Sequence, residues 1–310
     1  MHHVTFLIVC LAWGSGFYLM KLARQAFGPI SVGAYRVALA ALFIAVWWSF
    51  NRRKWPIRGR LWGHVFVVVC TSFIFPFCMQ PYLIGKYDAS GFVGMMVSLV
   101  PLMTILVSIV MLGVHPTRRQ VTGVCGGLVC FVLVFYDGAT VRKFSMLDLS
   151  LAALVPLCYA VANTYIKKNL GKVPATELTL SSMSIASVIL LPVALATEPV
   201  QTGEGFGLAL GSLIVFGLLC TGLATVLFYK LIHDRGPLYA GMVTYVIPVI
   251  ALAVGAAVGK ETLTAVQIIA LSGILAMVML VQSGEIKSQI SIPKSQTSSN
   301  APDEKPETTP

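Results

Sequence analysis

Charge is what this chain has least of. Only 11% of its 310 residues are Asp, Glu, Lys or Arg, against about 25% in soluble domains. A surface facing water on every side cannot be built from so few, which excludes a water-soluble core. None of the twelve acids falls in the middle of an apolar run. A proton-driven exporter of cations usually holds proton and substrate in turn on a membrane-embedded carboxylate. Without one, coupling would have to use an acid at the end of a run, such as Glu261 or Asp88.

Catalytic and metal-ligating patterns are also missing. His2, His3, His64, His115 and His233 do not converge on any ligand spacing, and neither G-x-S-x-G nor H-E-x-x-H occurs. The seven cysteines all lie in apolar runs without a CxxC pair. They read as small buried apolar residues, with no disulfide framework and no metal. A membrane enzyme acting on lipids or peptides would need a nucleophile, a metal or an acid–base set. The expectation is therefore no enzyme, no cofactor and no metal; a scaffold or receptor role has no pattern in its favour.

Apolar residues are present in abundance, at 57%, with a mean hydropathy of +0.84. Runs of about 17–25 apolar residues are long enough to cross a bilayer as a helix. Ten are expected, at 4–23, 29–50, 62–84, 89–113, 120–136, 148–166, 176–197, 206–231, 237–258 and 263–282. The first lacks a basic leader and is expected to be a retained span. From Gly284 Ser, Thr, Pro, Lys and Glu dominate, so 284–310 is expected to be a disordered tail.

The chain repeats itself. Gly94, Met95, Pro101, Thr117 and Gln120 recur 147 residues later as Gly241, Met242, Pro248, Thr264 and Gln267. At the same offset Tyr82 falls on Tyr229 and Gly126 on Gly273. A fixed offset near half the length marks a duplication, dividing the chain into 1–137 and 138–283. Fifteen Lys and Arg stand in the tail and the loops on one side, such as Arg52–Arg60 and Lys167–Lys172, against six on the other. Basic loops stay inside, so both termini are expected in the cytoplasm, and the net charge of +10 reads as orientation, not nucleic-acid binding. Five spans per repeat, an odd number, invert the second repeat. The expected fold is an all-α integral membrane protein of ten transmembrane helices in two inverted five-helix repeats, with solute bound near the midplane.

Candidate cavity residues are polar or aromatic groups inside spans: Trp13, Ser15, Tyr18, Gln80, Tyr82, Ser98, Tyr159, Asn163, Tyr229 and Tyr245, with Met95 and Met242 added by the repeat. Such groups hydrogen-bond a small polar solute and stack on its apolar part; interhelical packing uses the same residues. Arg36, about seven residues into a span, has two readings. It is an anion- or carboxylate-binding group facing the cavity, or an arginine that snorkels or caps neighbouring carbonyls, the commoner fate. Pro101 and Pro248 each free a backbone carbonyl inside a span. Gly123, Gly126, Gly127 and Gly273 look like helix-packing faces.

In this setting the chain resembles the drug/metabolite transporter superfamily, of the ten-span type with two EamA domains. The resemblance rests on Trp13-Gly14-Ser15-Gly16-Phe17, Gly28-Pro29 followed by Arg36, Ala89–Pro101, Gly123–Gly127, Pro237–Pro248 and Gly259-Lys260-Glu261. Two departures stand out: Val114-His115 where the family often has Glu, and Gly16 where an asparagine is common. The resemblance implies a permease in a bacterial inner membrane that moves small metabolites, often amino acids outward, through a central cavity; the sequence leaves monomer and homodimer both open. A multidrug or organic-cation exporter is the alternative within transport, and the missing mid-span carboxylate weighs against it.

Overall fold

The computed structural model describes residues 2–51, 55–113, 117–119, 121–123, 125–126, 129–130, 144–241, 243–258 and 264–290. Within these, the side chains of Met95, Tyr245 and parts of the last three helices are not described. Among the described residues no strand occurs. The elements are α1 (His2–Ala23), α2 (Pro29–Asn51), α3 (Leu61–Tyr87) and α4 (Ser90–Leu112). α5 is described only at 118–119, 121–123, 125–126 and 129–130, all helical. Then follow α6 (Met146–Asn169) and α7 (Ala175–Thr197). α8 crosses as Phe206–Leu231, and its helical residues continue to Gly241. α9 (Val243–Ala257) and α10 (Ala265–Ile290) close the chain.

Seven of these helices are long and apolar enough to cross a membrane, and Val246–Ala257 and Ile268–Met277 are shorter apolar stretches. The protein is an all-α membrane protein. Its exposed surface carries Leu42, Trp47, Phe50, Val110 and Val188, side chains that lipid rather than water would cover. Most of the expected fifth span lies outside the described residues.

Helix ends differ from the apolar runs in two places. The gap expected at 232–236 is helical, and α10 continues past Gly284 to Ile290, so the tail expected to start at 284 is helical for its first seven residues. The physical reason is the same in both. Apolar length reports membrane crossing, whereas Asp234, Arg235, Glu285 and Lys287 can each continue a helix outside it.

The packing respects the duplication. α1 lies on α9 and α8, and its counterpart α6 lies on α4 and α3. The self-related pairs α2–α7 and α4–α9 each pack against one another. A Cβ at Gly126 would stand 2.5 Å from the Met277 sulfur, and one at Gly273 would stand 2.6 Å from the Cys130 sulfur. Residues 126 and 273, and 130 and 277, are equivalent at the 147-residue offset. Thus α5 and α10 meet through two copies of one contact, each glycine admitting the partner's sulfur.

The third helix of each repeat is distorted alike. α3 contains a π segment at Val69–Ile74 and α8 one at Phe216–Leu223, starting 147 residues apart. Pro76 helps impose the first, since it has no N–H for the carbonyl four residues back. The paired prolines have diverged. Pro101 stands in the first turn of the helical stretch after a 3₁₀ turn at Val97–Leu99, while Pro248 sits inside an unbroken helix.

Polar side chains gather at one end of the bundle, where α1 and α3 finish and α2 and α6 begin. Asp148 accepts from Lys86 (2.7 Å), Ser145 (2.7 Å) and Tyr87. Lys21 pairs with Asp88 at 3.0 Å. Arg24 donates to the carbonyls of Pro81 and Phe27. Burial pushes its guanidinium below the ordinary arginine range, and nearby Glu198 opposes that. Glu198 also accepts from the amides of Ile30 (3.1 Å) and Ser31 (2.7 Å), capping α2 from across the bundle.

Candidate functional site

A cavity of about 140 Å³ lies among α1, α2, α3, α4, α6, α8 and α9. An apolar cavity of similar size takes up a benzene-sized molecule. Both repeats supply its wall at matching positions. Phe73 and Cys220, Val97 and Thr244, and Val100 and Ile247 line it as pairs 147 residues apart. Trp13 and Tyr159, and Phe17 and Asn163, line it as pairs 146 apart. The two π segments contribute Ser72 and Phe73 from one side and Phe216, Cys220 and Thr221 from the other.

Arg36 breaks this symmetry. The residue 147 positions on is Met183, and Arg36 is the one charged side chain among the described residues on the wall. It is only 6% exposed. Its guanidinium carbon lies 3.5 Å from the centre of the Phe77 ring and 4.0 Å from that of Phe216. Nε donates to the Thr221 hydroxyl at 3.1 Å, and that hydroxyl donates to the Phe216 carbonyl at 2.9 Å. A π turn leaves such a carbonyl without its usual i→i+4 partner; here a side chain satisfies it and aims the arginine at once. Nη1 is buried and finds no acceptor among the described residues. The helices come close enough for this because residue 217 is glycine. A Cβ there would stand 2.8 Å from Leu39 Cβ and 3.3 Å from the Arg36 carbonyl.

Six of the sequence candidates stand on the cavity wall: Trp13, Arg36, Gln80, Tyr159, Asn163 and Tyr229. Trp13 packs its ring 4.8 Å from Phe228, and Gln80 and Tyr159 line the same cavity. Four stand off it. Ser15 donates to the Leu11 carbonyl at 2.6 Å within its own helix. Tyr18 reaches the Val258 carbonyl at 3.4 Å. The Tyr82 hydroxyl accepts from Lys86 at 2.8 Å beside the Asp148 cluster at the end of the bundle. Ser98 is buried in the 3₁₀ turn. The side chains of Met95 and Tyr245, and all of Met242 and Glu261, lie outside the described residues. Sequence reasoning missed Ser72, Phe77, Phe216 and Thr221. No repeat signal marks them; Ser72, Phe216 and Thr221 lie in the π segments and Phe77 just after one, and apolar periodicity does not encode such segments.

Among the described residues no group of three or more His, Cys, Asp or Glu could hold a metal ion. Asp88, considered for coupling, is exposed and paired with Lys21. Glu177, in the first turn of α7, is 1% exposed, and its Oε2 has no partner among the described residues.

A helical membrane bundle that encloses a solute-sized, partly polar cavity between two related halves has the architecture of a membrane transporter. The chain belongs to the EamA-like transporter family, whose model matches residues 2–136 and again 146–283. It is similar to a protein of Escherichia coli (strain K12) described as the uncharacterized inner membrane transporter YedA, at 22% identity over 89% of this chain and 88% of that one. It is also similar to the uncharacterized transporter YyaM of Bacillus subtilis (strain 168), at 23% identity over 96% of this chain and 98% of that one. A crystal structure with 18% identity superposes with a TM-score of 0.66 over 94% of this chain and 99% of that one, a likeness of fold. The protein is thus a multi-pass membrane transporter that handles small solutes within the bilayer.

Proposed function

We propose that the protein is a secondary transporter, working outward, for small organic metabolites such as amino acids. It performs no covalent chemistry. The two repeats, 1–137 and 138–283, rock about the central cavity so that it faces each side of the membrane in turn. The observation that carries this reading is the cavity itself, walled by matching positions of both repeats. A site on a pseudo-two-fold axis keeps equivalent walls when the halves exchange conformations, as alternating access requires. The basic loops put both termini in the cytoplasm, in a bacterial inner membrane. The end that carries the Asp148 cluster then faces outward. Trp13, Gln80, Tyr159, Asn163 and Tyr229 contact the solute.

An organic-cation exporter fits less well, because the one charge on the described wall is Arg36. The test is counterflow in proteoliposomes with a broad panel of labelled amino acids, other metabolites and organic cations. Exchange above empty liposomes is expected for some of the metabolites. Exchange of none would end the carrier reading, and exchange of cations alone would favour the alternative.

A further inference from the structure

We infer that Arg36 is the anchor for a single carboxylate on the transported solute, and that the cavity selects compact solutes carrying one such group on an apolar body. This rests on the carrier reading above.

A buried cation is costly unless something compensates it. Flanking Phe77 and Phe216 rings supply part of that compensation, but a ring face does not satisfy in-plane N–H donors as an oxygen does. Thr221 engages Nε only, and Nη1 remains without an acceptor among the described residues. Snorkelling is excluded by the burial, and among the described residues no carboxylate pairs with the guanidinium. The rings fix the guanidinium plane and the hydroxyl fixes its rotation about that plane. What remains is a fixed, buried guanidinium on a cavity wall with Nη1 unsatisfied among the described residues, the chemistry that suits a carboxylate.

The charge count narrows the class. One positive side chain stands on the described wall, so one negative charge on the solute is matched. A dianion would carry one charge uncompensated in a low-dielectric site, and a cation would add to the charge already there. Trp13, Phe17, Met20 and Phe228 line much of the remainder and favour an apolar body. Gln80, Tyr159 and Asn163 can serve one further polar group, such as a hydroxyl, or an ammonium balanced by the solute's own carboxylate.

The experiment uses the purified full-length protein in detergent. Calorimetric titrations compare benzoate with benzamide, its uncharged isostere, and with inorganic phosphate. In the wild type benzoate is expected to bind at least about 10-fold more tightly than benzamide, the scale of a charge-assisted hydrogen bond. Arg36→Gln is expected to abolish that ratio while leaving benzamide binding in place. Arg36→Lys, which keeps the charge without the fork, is expected to retain part of it. Equal binding of benzoate and benzamide to the wild type, or binding of neither, would overturn the inference. So would tighter binding of phosphate, or an Arg36→Gln variant that weakens both aromatic ligands alike, as a merely structural arginine would. If that variant does not fold, the wild-type comparison decides. The failures are distinguishable: counterflow of uncharged solutes or cations with no carboxylate preference removes the anchor and leaves the carrier, whereas absence of all counterflow removes the carrier.

Discussion

At the scale of single residues, Thr221 has the most to lose. Its hydroxyl accepts from Arg36 and donates to the Phe216 carbonyl, so both of its roles are fixed by neighbours buried with it. Thr221→Val preserves the shape and strands both groups. The expected cost is about 1–3 kcal/mol, the range for buried polar groups left unsatisfied, read as a lower unfolding midpoint in detergent. Weaker benzoate binding is expected alongside, because the guanidinium loses its orientation. A variant as stable as the wild type would show that the relay carries no weight. Arg36 and Thr221 were unequally legible in the sequence. A charge inside an apolar run is conspicuous in any sequence. A threonine among many is not, since only the π turn of α8 brings its hydroxyl under the arginine.

Whole elements decide how the cavity is closed. Asp148, in the first turn of α6, gathers Lys86 and Tyr87 from the last turn of α3. That cluster and Lys21–Asp88 join α1, α3 and α6, and the Glu198 cap joins α7 to α2, all at one end. Opening toward that end requires these contacts to part. Asp148→Asn weakens the acceptor that three donors share and is expected to favour the open state. In a chain keeping Cys220 as its one cysteine, an impermeant maleimide added outside right-side-out vesicles reaches the cavity wall through this end. Asp148→Asn is expected to speed that labelling several-fold. Unchanged labelling would mean that the cluster is not the closure, or that this end faces inward. The same cluster accounts for Tyr82. Repeat position pairs it with Tyr229, but Lys86 four residues on holds its hydroxyl beside the Asp148 cluster, while Tyr229 lines the cavity.

For the molecule as a whole, the two-fold relation is the testable property. The α5–α10 contact places an ideal Cβ at position 273 about as far from Cys130 Cβ, 3.4 Å, as the shorter disulfides allow. Gly273→Cys is therefore expected to form a disulfide with the native Cys130 under mild oxidation, joining the repeats. The readout is a shift in electrophoretic mobility that reductant reverses, in a chain with a protease site cut between the halves. Persistent separation of the halves after oxidation would contradict this packing of α5 against α10.

The duplication and the membrane class follow from the chain alone. Apolar runs of bilayer length and a 147-residue offset survive any change in how helices are tilted or packed. Arg36 is likewise visible as a charge where charge is expensive. What only the tertiary structure decided is which polar groups face one another. Apolar periodicity is weak in helices wetted by lipid on one side and packed on the other, so it does not tell a wall residue from a packing residue. The π turns in α3 and α8, the glycine contacts that bring α8 against α2, and the 3₁₀ turn in α4 make that choice. They put Phe77, Phe216 and Thr221 around Arg36 and leave Ser15, Tyr18, Tyr82 and Ser98 off the wall.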